Sequence, residues 1–259
     1  MTARTAGAEA PRRLNTNGVS LAFHEWPGGG PAIVAIHGLT SNHTAWYPIA
    51  DVLGGSDFLG LLDHFGLDRA VIMGHSLGAH IGVRFASHHP DRVAKLVLFD
   101  GGLDVRAEVF DSIAPSVNRL GVEFPSVEMF LAIVKALPMF EGRWNDHLTR
   151  HFTYDVEPGP GGGVRSKVAK HAIEEEAGNL QRTRLWVWHH RIAAPTLLLR
   201  APDGLLTPDD CLMTQEEAEA MAHAIPDCRL VVVPGVNHYT ILLGDDPLVR
   251  RELSAFLAR

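Results

Sequence analysis

The chain has 259 residues, of which 46% are hydrophobic and 20% charged, and it carries a formal charge of −7. That length suits one large domain or two small ones, and the composition excludes wholesale disorder. The acidic balance argues against a protein that coats nucleic acid or an anionic membrane. In chain order, the first element reads as a hairpin: a turn at Asn15–Gly18, then Val19–Trp26 with apolar residues at alternate positions. Beyond a Gly-Gly-Gly-Pro turn, Ala32–Ile36 is a continuous apolar run, the pattern of a strand buried on both faces. Helices are expected over Thr44–Leu53, ended by Gly54-Gly55, and over Asp57–Phe65.

Two further strand-to-helix units follow. Ala70–Gly74 leads through His75-Ser76 into a helix at Leu77–His88, and Leu96–Phe99 ends at Asp100. Residues 103–191 change character, with helical patterns at Val127–Ala136 and Ser166–Ala177, a Gly-rich hairpin or loop at 158–163, and no buried-strand runs. Strand signals return at Thr196–Leu199 and Arg229–Val233, and Pro247–Leu257 closes the chain as a helix. Strands alternating with helices imply an α/β protein with a mostly parallel sheet flanked by helices. Residues 1–102 and 192–259 then form one core domain, and 103–191 is a helical cap inserted into it. Ligands of such sheets bind at the carboxyl ends of the strands.

The residues with chemistry lie at those ends. Gly74-His75-Ser76-Leu77-Gly78 is a G-x-S-x-G placed between a buried strand and a helix. A sharp turn there lifts a serine clear of the sheet at a helix N-terminus, and only glycines fit two residues to either side. A serine hydroxyl needs a base, and of 15 histidines His238 stands out, on the loop between the last strand and the last helix. The imidazole needs a carboxylate to fix its tautomer. Asp203, on the loop after Thr196–Leu199, gives the order Ser76, Asp203, His238; Asp100 is the alternative acid. Acyl transfer also needs donors for an oxyanion, expected from the backbone N–H groups of Leu77 and Leu39, the latter in His37-Gly38-Leu39-Thr40. No H-E-x-x-H exists, and His88-His89 and His189-His190 are adjacent pairs, so no metal is expected.

His37-Gly38, Gly74-His75-Ser76-Leu77-Gly78, Asp203 and His238, in that order, resemble the α/β-hydrolase superfamily, and its cap-bearing, cofactor-free, esterase-like branch in particular. The resemblance implies a Ser–His–Asp acyl transfer through a covalent acyl-enzyme. Serine at position 76 stands where related dehalogenases and epoxide hydrolases have a carboxylate nucleophile. One departure is visible: Ser76 follows His37 by only 39 residues, and two helices fill that interval. One strand usual in the family is therefore missing near Ser56-Asp57: either the protein lacks it, which would place the loss between the hairpin and the His-Gly strand in the sheet, or the sequence omits a segment there.

In the cap, Phe130, Met139, Phe140, Trp144, Phe152, Trp186 and Trp188 suggest an apolar roof over Ser76. A small apolar ester- or lactone-like substrate is expected, with no nucleic acid or membrane partner; a homo-oligomer is compatible with the chain. Cys211 and Cys228 lie outside any C-x-x-C, which excludes a zinc ribbon or disulfide framework, and residues 1–17 hold no apolar run of a signal peptide. The expected location is cytoplasmic. Two alternatives remain on the sequence: a carbon–carbon bond hydrolase using the same triad, and a catalytically silent ligand-binding protein.

Overall fold

The computed structural model describes residues 11–16, 18–25, 31–49 and 59–259. Strands β1 (Arg12–Thr16) and β2 (Val19–Phe23) pair antiparallel as a hairpin, with Gly18 at φ 78° in its turn. β3 (Ile33–Ile36) follows, and then a 3-10 helix at His43–Ile49 where an α-helix was expected, with Pro48 inside it. Proline lacks the N–H of an α-helical ladder, which favours the tighter, shorter turn. The remainder of that expected helix, its Gly54-Gly55 stop and the Ser56-Asp57 junction lie outside the described residues.

α1 (Leu59–His64) precedes β4 (Ala70–His75), α2 (Leu77–His88) and β5 (Val93–Phe99). After β5 the chain forms α3 (Ala107–Asn118), β6 (Glu123–Phe124), α4 (Val127–Lys135), α5 (Asp146–Asp155), β7 (Val156–Pro158), β8 (Val164–Ser166) and α6 (Lys170–Arg182). The insertion is thus not wholly helical, since β6, β8 and β7 make a three-stranded antiparallel sheet. Ser166, the expected start of a helix, instead ends β8, where its hydroxyl donates to the buried Asp155 (3.1 Å); α6 begins four residues later. β9 (Thr196–Arg200), α7 (Gln215–Ala224), β10 (Cys228–Val232), α8 (Thr240–Leu243) and α9 (Pro247–Leu257) complete the chain.

The central sheet is parallel throughout, in the order β10-β9-β5-β4-β3. Side chains alternate between its faces. Val71 and Met73 of β4, Val97 and Phe99 of β5 and Leu197 and Leu199 of β9 enter one core; Ile72, Leu96, Leu98 and Leu198 enter the other. The first core continues into the insertion through Phe124, Phe130, Phe140 and Phe152, and the second is closed by Ala79, Val83, Ala218 and Met221 of α2 and α7. Burial on both faces explains why the strands read as unbroken apolar runs. The hairpin forms a sheet of its own and β3 is an edge, so the place between them holds no strand among the described residues. No helix of the described residues is long and apolar enough to cross a membrane.

Candidate active site

β4 delivers Ser76 to the carboxyl edge of the sheet. Its backbone is forced into φ 56°, ψ −119°, a region rarely occupied by residues with a side chain, and α2 starts at the next residue. The flanking glycines explain how the turn closes. A Cβ on Gly74 would lie 2.2 Å from the Gly78 oxygen, and one on Gly78 would lie 2.0 Å from the Ile36 oxygen. Gly38 is held as tightly, since a Cβ there would approach Ser76 Cβ to 2.9 Å. The turn after β3 therefore rests directly on the serine, and Leu39, Ser76 and Leu77 line one cleft. The Leu77 N–H occupies the first position of α2, where a helix has no internal acceptor for it.

His238 is buried on the loop after β10 and borders the cleft together with Ser76. Its Nδ1 donates to Asp100 Oδ2 at 2.8 Å, not to Asp203. Asp100 follows β5 directly, at φ 45°, and its second oxygen accepts the Ala201 N–H at 3.0 Å. Asp203 keeps its place on the loop after β9, where its own N–H donates to Val236. Its carboxylate, however, accepts from Arg143 of the insertion at 2.7 Å, and Arg143 also donates to the Gly235 oxygen at 3.1 Å. The reason for the exchange is geometric. Asp100 and Asp203 follow neighbouring strands; Asp100, directly after β5, meets the imidazole, and Asp203, on the loop after β9, meets Arg143 instead.

His238 is held from the other side as well. His75 Nε2 donates to the His238 carbonyl at 2.7 Å, and the two rings lie 4.5 Å apart. A carbonyl only accepts, so that nitrogen carries the hydrogen. Asn237, beside it, donates to the Met139 oxygen of the insertion and accepts the N–H groups of Tyr239 and Thr240. The expected aromatic roof is only partly realised. Phe130, Phe140, Trp144 and Phe152 pack on one another, and Phe152 alone of the named aromatics lines the cleft. Trp186 is 65% exposed, and Trp188 packs against His88 on α2. Sequence reasoning missed Arg119, His151 and Tyr239, which also line the cleft. Arg119 pairs with Asp155 and donates to the Thr40 oxygen, but its position at the end of an unforeseen helix gave no motif.

Burial holds an unusual number of imidazoles neutral. His37, His75, His80 and His189 all have pKa values lowered by desolvation, and His43 and His151 are lowered to about 3. Below about pH 6.5 the unfolded chain binds protons that the folded chain refuses, so stability falls as pH falls from there toward 3. Each such group costs up to about 1.4 kcal/mol per pH unit. The melting temperature at pH 5 is therefore expected about 5 °C or more below that at pH 7.5. Equal melting temperatures at the two pH values would refute this reading.

With the fold and this arrangement in view, comparisons with known proteins are informative. A family model described as the alpha/beta hydrolase fold matches residues 55–245. 2-(Acetamidomethylene)succinate hydrolase of Mesorhizobium japonicum is 26% identical over 262 residues, spanning 88% of each chain. A 2-hydroxy-6-oxononadienedioate/2-hydroxy-6-oxononatrienedioate hydrolase of Pseudomonas putida is 52% identical over a short stretch of 50 residues, 19% of this chain and 18% of that one. The crystal structure of E-2-(acetamidomethylene)succinate hydrolase superposes with a TM-score of 0.81 at 22% identity, covering 96% of this chain and 99% of that one. These relatives are hydrolases, and the chain belongs to the α/β-hydrolase fold family.

Proposed function

We propose that the chain is a serine hydrolase that cleaves carboxylic esters or lactones through an acyl-enzyme on Ser76. The observation that carries the reading is the strained Ser76 in one cleft with a His238 whose Nδ1–H is given to Asp100. With its hydrogen committed to Nδ1, the neutral ring keeps a lone pair on Nε2 for the serine proton. Ser76 Oγ attacks the carbonyl carbon as His238 takes that proton, and the Leu39 and Leu77 N–H groups meet the developing oxyanion. Collapse breaks the bond to the leaving oxygen, which receives the proton from His238. A water then attacks the acyl-enzyme, again giving its proton to His238, and the acid leaves from a restored Ser76. Each oxyanion donor is worth about 2.7–4 kcal/mol in such chemistry.

Residues 103–191 act as the cap in this reading, and the protein needs no cofactor. The free thiols of Cys211 and Cys228 suit a reducing compartment, which supports the cytoplasm. The short match to the oxononadienedioate hydrolase favours a second reading, cleavage of a carbon–carbon bond in a diketone by the same triad. A fluorophosphonate probe is expected to label the wild type and not Ser76→Ala. A panel of esters, lactones and diketones, with Ser76→Ala as control, then assigns the bond. Absence of labelling in a folded sample would leave a ligand-binding protein instead.

A further inference from the structure

The cleft at Ser76 has two arms, and His238 borders only one of them. One places Thr40, Arg119, His151, His238 and Tyr239 among apolar neighbours such as Ile113. The second runs past Leu77 under Val109, Phe110, Leu180 and Leu212, with His80 and Asp104 also on its wall, and His238 does not border it. Under the hydrolase reading proposed above, the proton that His238 takes from Ser76 is handed to the leaving group. The leaving group therefore lies in the arm that His238 borders, and the acyl group in the other.

The hydrogens around His151 in the first arm can be placed one at a time. The Thr44 N–H donates to Asn42 Oδ1 at 3.0 Å, which fixes that oxygen as an acceptor. The Thr44 hydroxyl lies 2.5 Å from the same oxygen and must donate to it. Its single hydrogen is then spent, so the 3.0 Å contact between Thr44 Oγ1 and His151 Nδ1 needs a hydrogen from His151. Burial, and next the Arg119 guanidinium, hold this imidazole at a pKa of about 3, so it is neutral. One hydrogen on Nδ1 leaves Nε2 as a bare lone pair. Of the neighbouring polar groups, Arg119 is paired with Asp155, and the Tyr239 hydroxyl shares a 2.5 Å hydrogen bond with Ser116. Nε2 of His151 makes no hydrogen bond among the described residues.

We propose that His151 is a specificity-determining residue that selects substrates whose leaving portion carries a hydrogen-bond donor, a hydroxyl or an N–H. A leaving group with only acceptors or only methylenes strips water from Nε2 and gives nothing back. A site built around such a polar group discriminates more strongly than an apolar pocket does. The effect is directional, since an acceptor facing the same lone pair is repelled.

The test uses butyrate esters matched in size. Hydroxyalkyl esters of two to four carbons are compared with isosteric alkyl esters and with methoxyethyl butyrate, whose oxygen only accepts. In the wild type the best hydroxyalkyl ester is expected to exceed its alkyl isostere and the methoxyethyl ester by about tenfold or more in kcat/KM. His151→Phe collapses that ratio to near one. His151→Gln, whose side-chain oxygen still accepts, restores part of it and guards against misfolding of the Phe variant. An unchanged ratio in His151→Phe, or a methoxyethyl ester as good as its hydroxyl counterpart, would overturn the assignment. If no ester is hydrolysed and the fluorophosphonate leaves Ser76 unlabelled, it is the hydrolase reading that fails. Calorimetric titration of the same esters into Ser76→Ala reads the preference without turnover, and equal affinities there overturn the role of His151 on their own.

Discussion

Asp100→Asn is expected to lower kcat by about 10³–10⁴-fold on whichever ester proves best, while Asp203→Asn stays within about fivefold of the wild type. The asymmetry follows from single hydrogens. Asp100 Oδ2 accepts from His238 Nδ1, and Oδ1 accepts from the Ala201 N–H. An asparagine keeps its carbonyl oxygen on Ala201 and turns an NH₂ toward the imidazole. Two donors cannot face each other, so His238 moves its hydrogen to Nε2 and can no longer take the Ser76 proton. Asp203 loses only its pairing with Arg143, in which both side chains are about one-third exposed. Such a half-wet pair contributes about 0–1 kcal/mol, which bounds the effect. Steady-state kinetics on the two variants settle the matter. Equal losses, or a larger loss at Asp203, would return the acid to the loop after β9.

The second large effect is on stability. Gly78→Ala is expected to destabilise the fold by about 3 kcal/mol or more, lowering the urea midpoint or preventing soluble expression. The added methyl would meet the Ile36 oxygen at 2.0 Å. That atom is backbone at the end of β3 and cannot swing aside as a long side chain would. Relief requires α2 to lift from the sheet, and α2 carries Ala79, Val83 and Ala86 into the second core. Folded protein that did survive would present Ser76 displaced, and an error of about 1 Å at a reacting atom costs on the order of 10²-fold in rate. Wild-type stability and activity in Gly78→Ala would show that the turn does not need its glycines.

Several elements were legible because local chemistry and final environment agree. β4 and β9 were legible because they are buried along their whole length and their centres are apolar, and the helix at Pro247–Leu257 begins where Asp246 caps it. α7 was missed although Thr214 and Glu217 form a capping box, with N–H contacts of 3.2 and 2.8 Å, and that signal stood in the sequence. α5 was missed too: only Asn145 marks its start, and its apolar positions are few. The aromatics of the insertion were visible as a group, but Phe140 and Trp144 face their neighbours and Trp186 faces solvent, which no spacing reveals.

By itself the sequence determined the family and the positions of the strained serine and its histidine. Those rest on short-range constraints: a strand of apolar residues, glycines two residues either side of Ser76, and a loop after the last strand. Which carboxylate serves His238 was decided only by tertiary structure, because Asp100 and Asp203 end adjacent strands and are equivalent in the chain. In the fold they are inequivalent: Asp100 accepts from His238, and Asp203 accepts from Arg143, 60 residues before it and outside the sheet. The lone pair at His151 was decided the same way, through a hydrogen-bond chain joining residues 107 positions apart. Long-range partners set the direction of a hydrogen bond, and no local pattern encodes them.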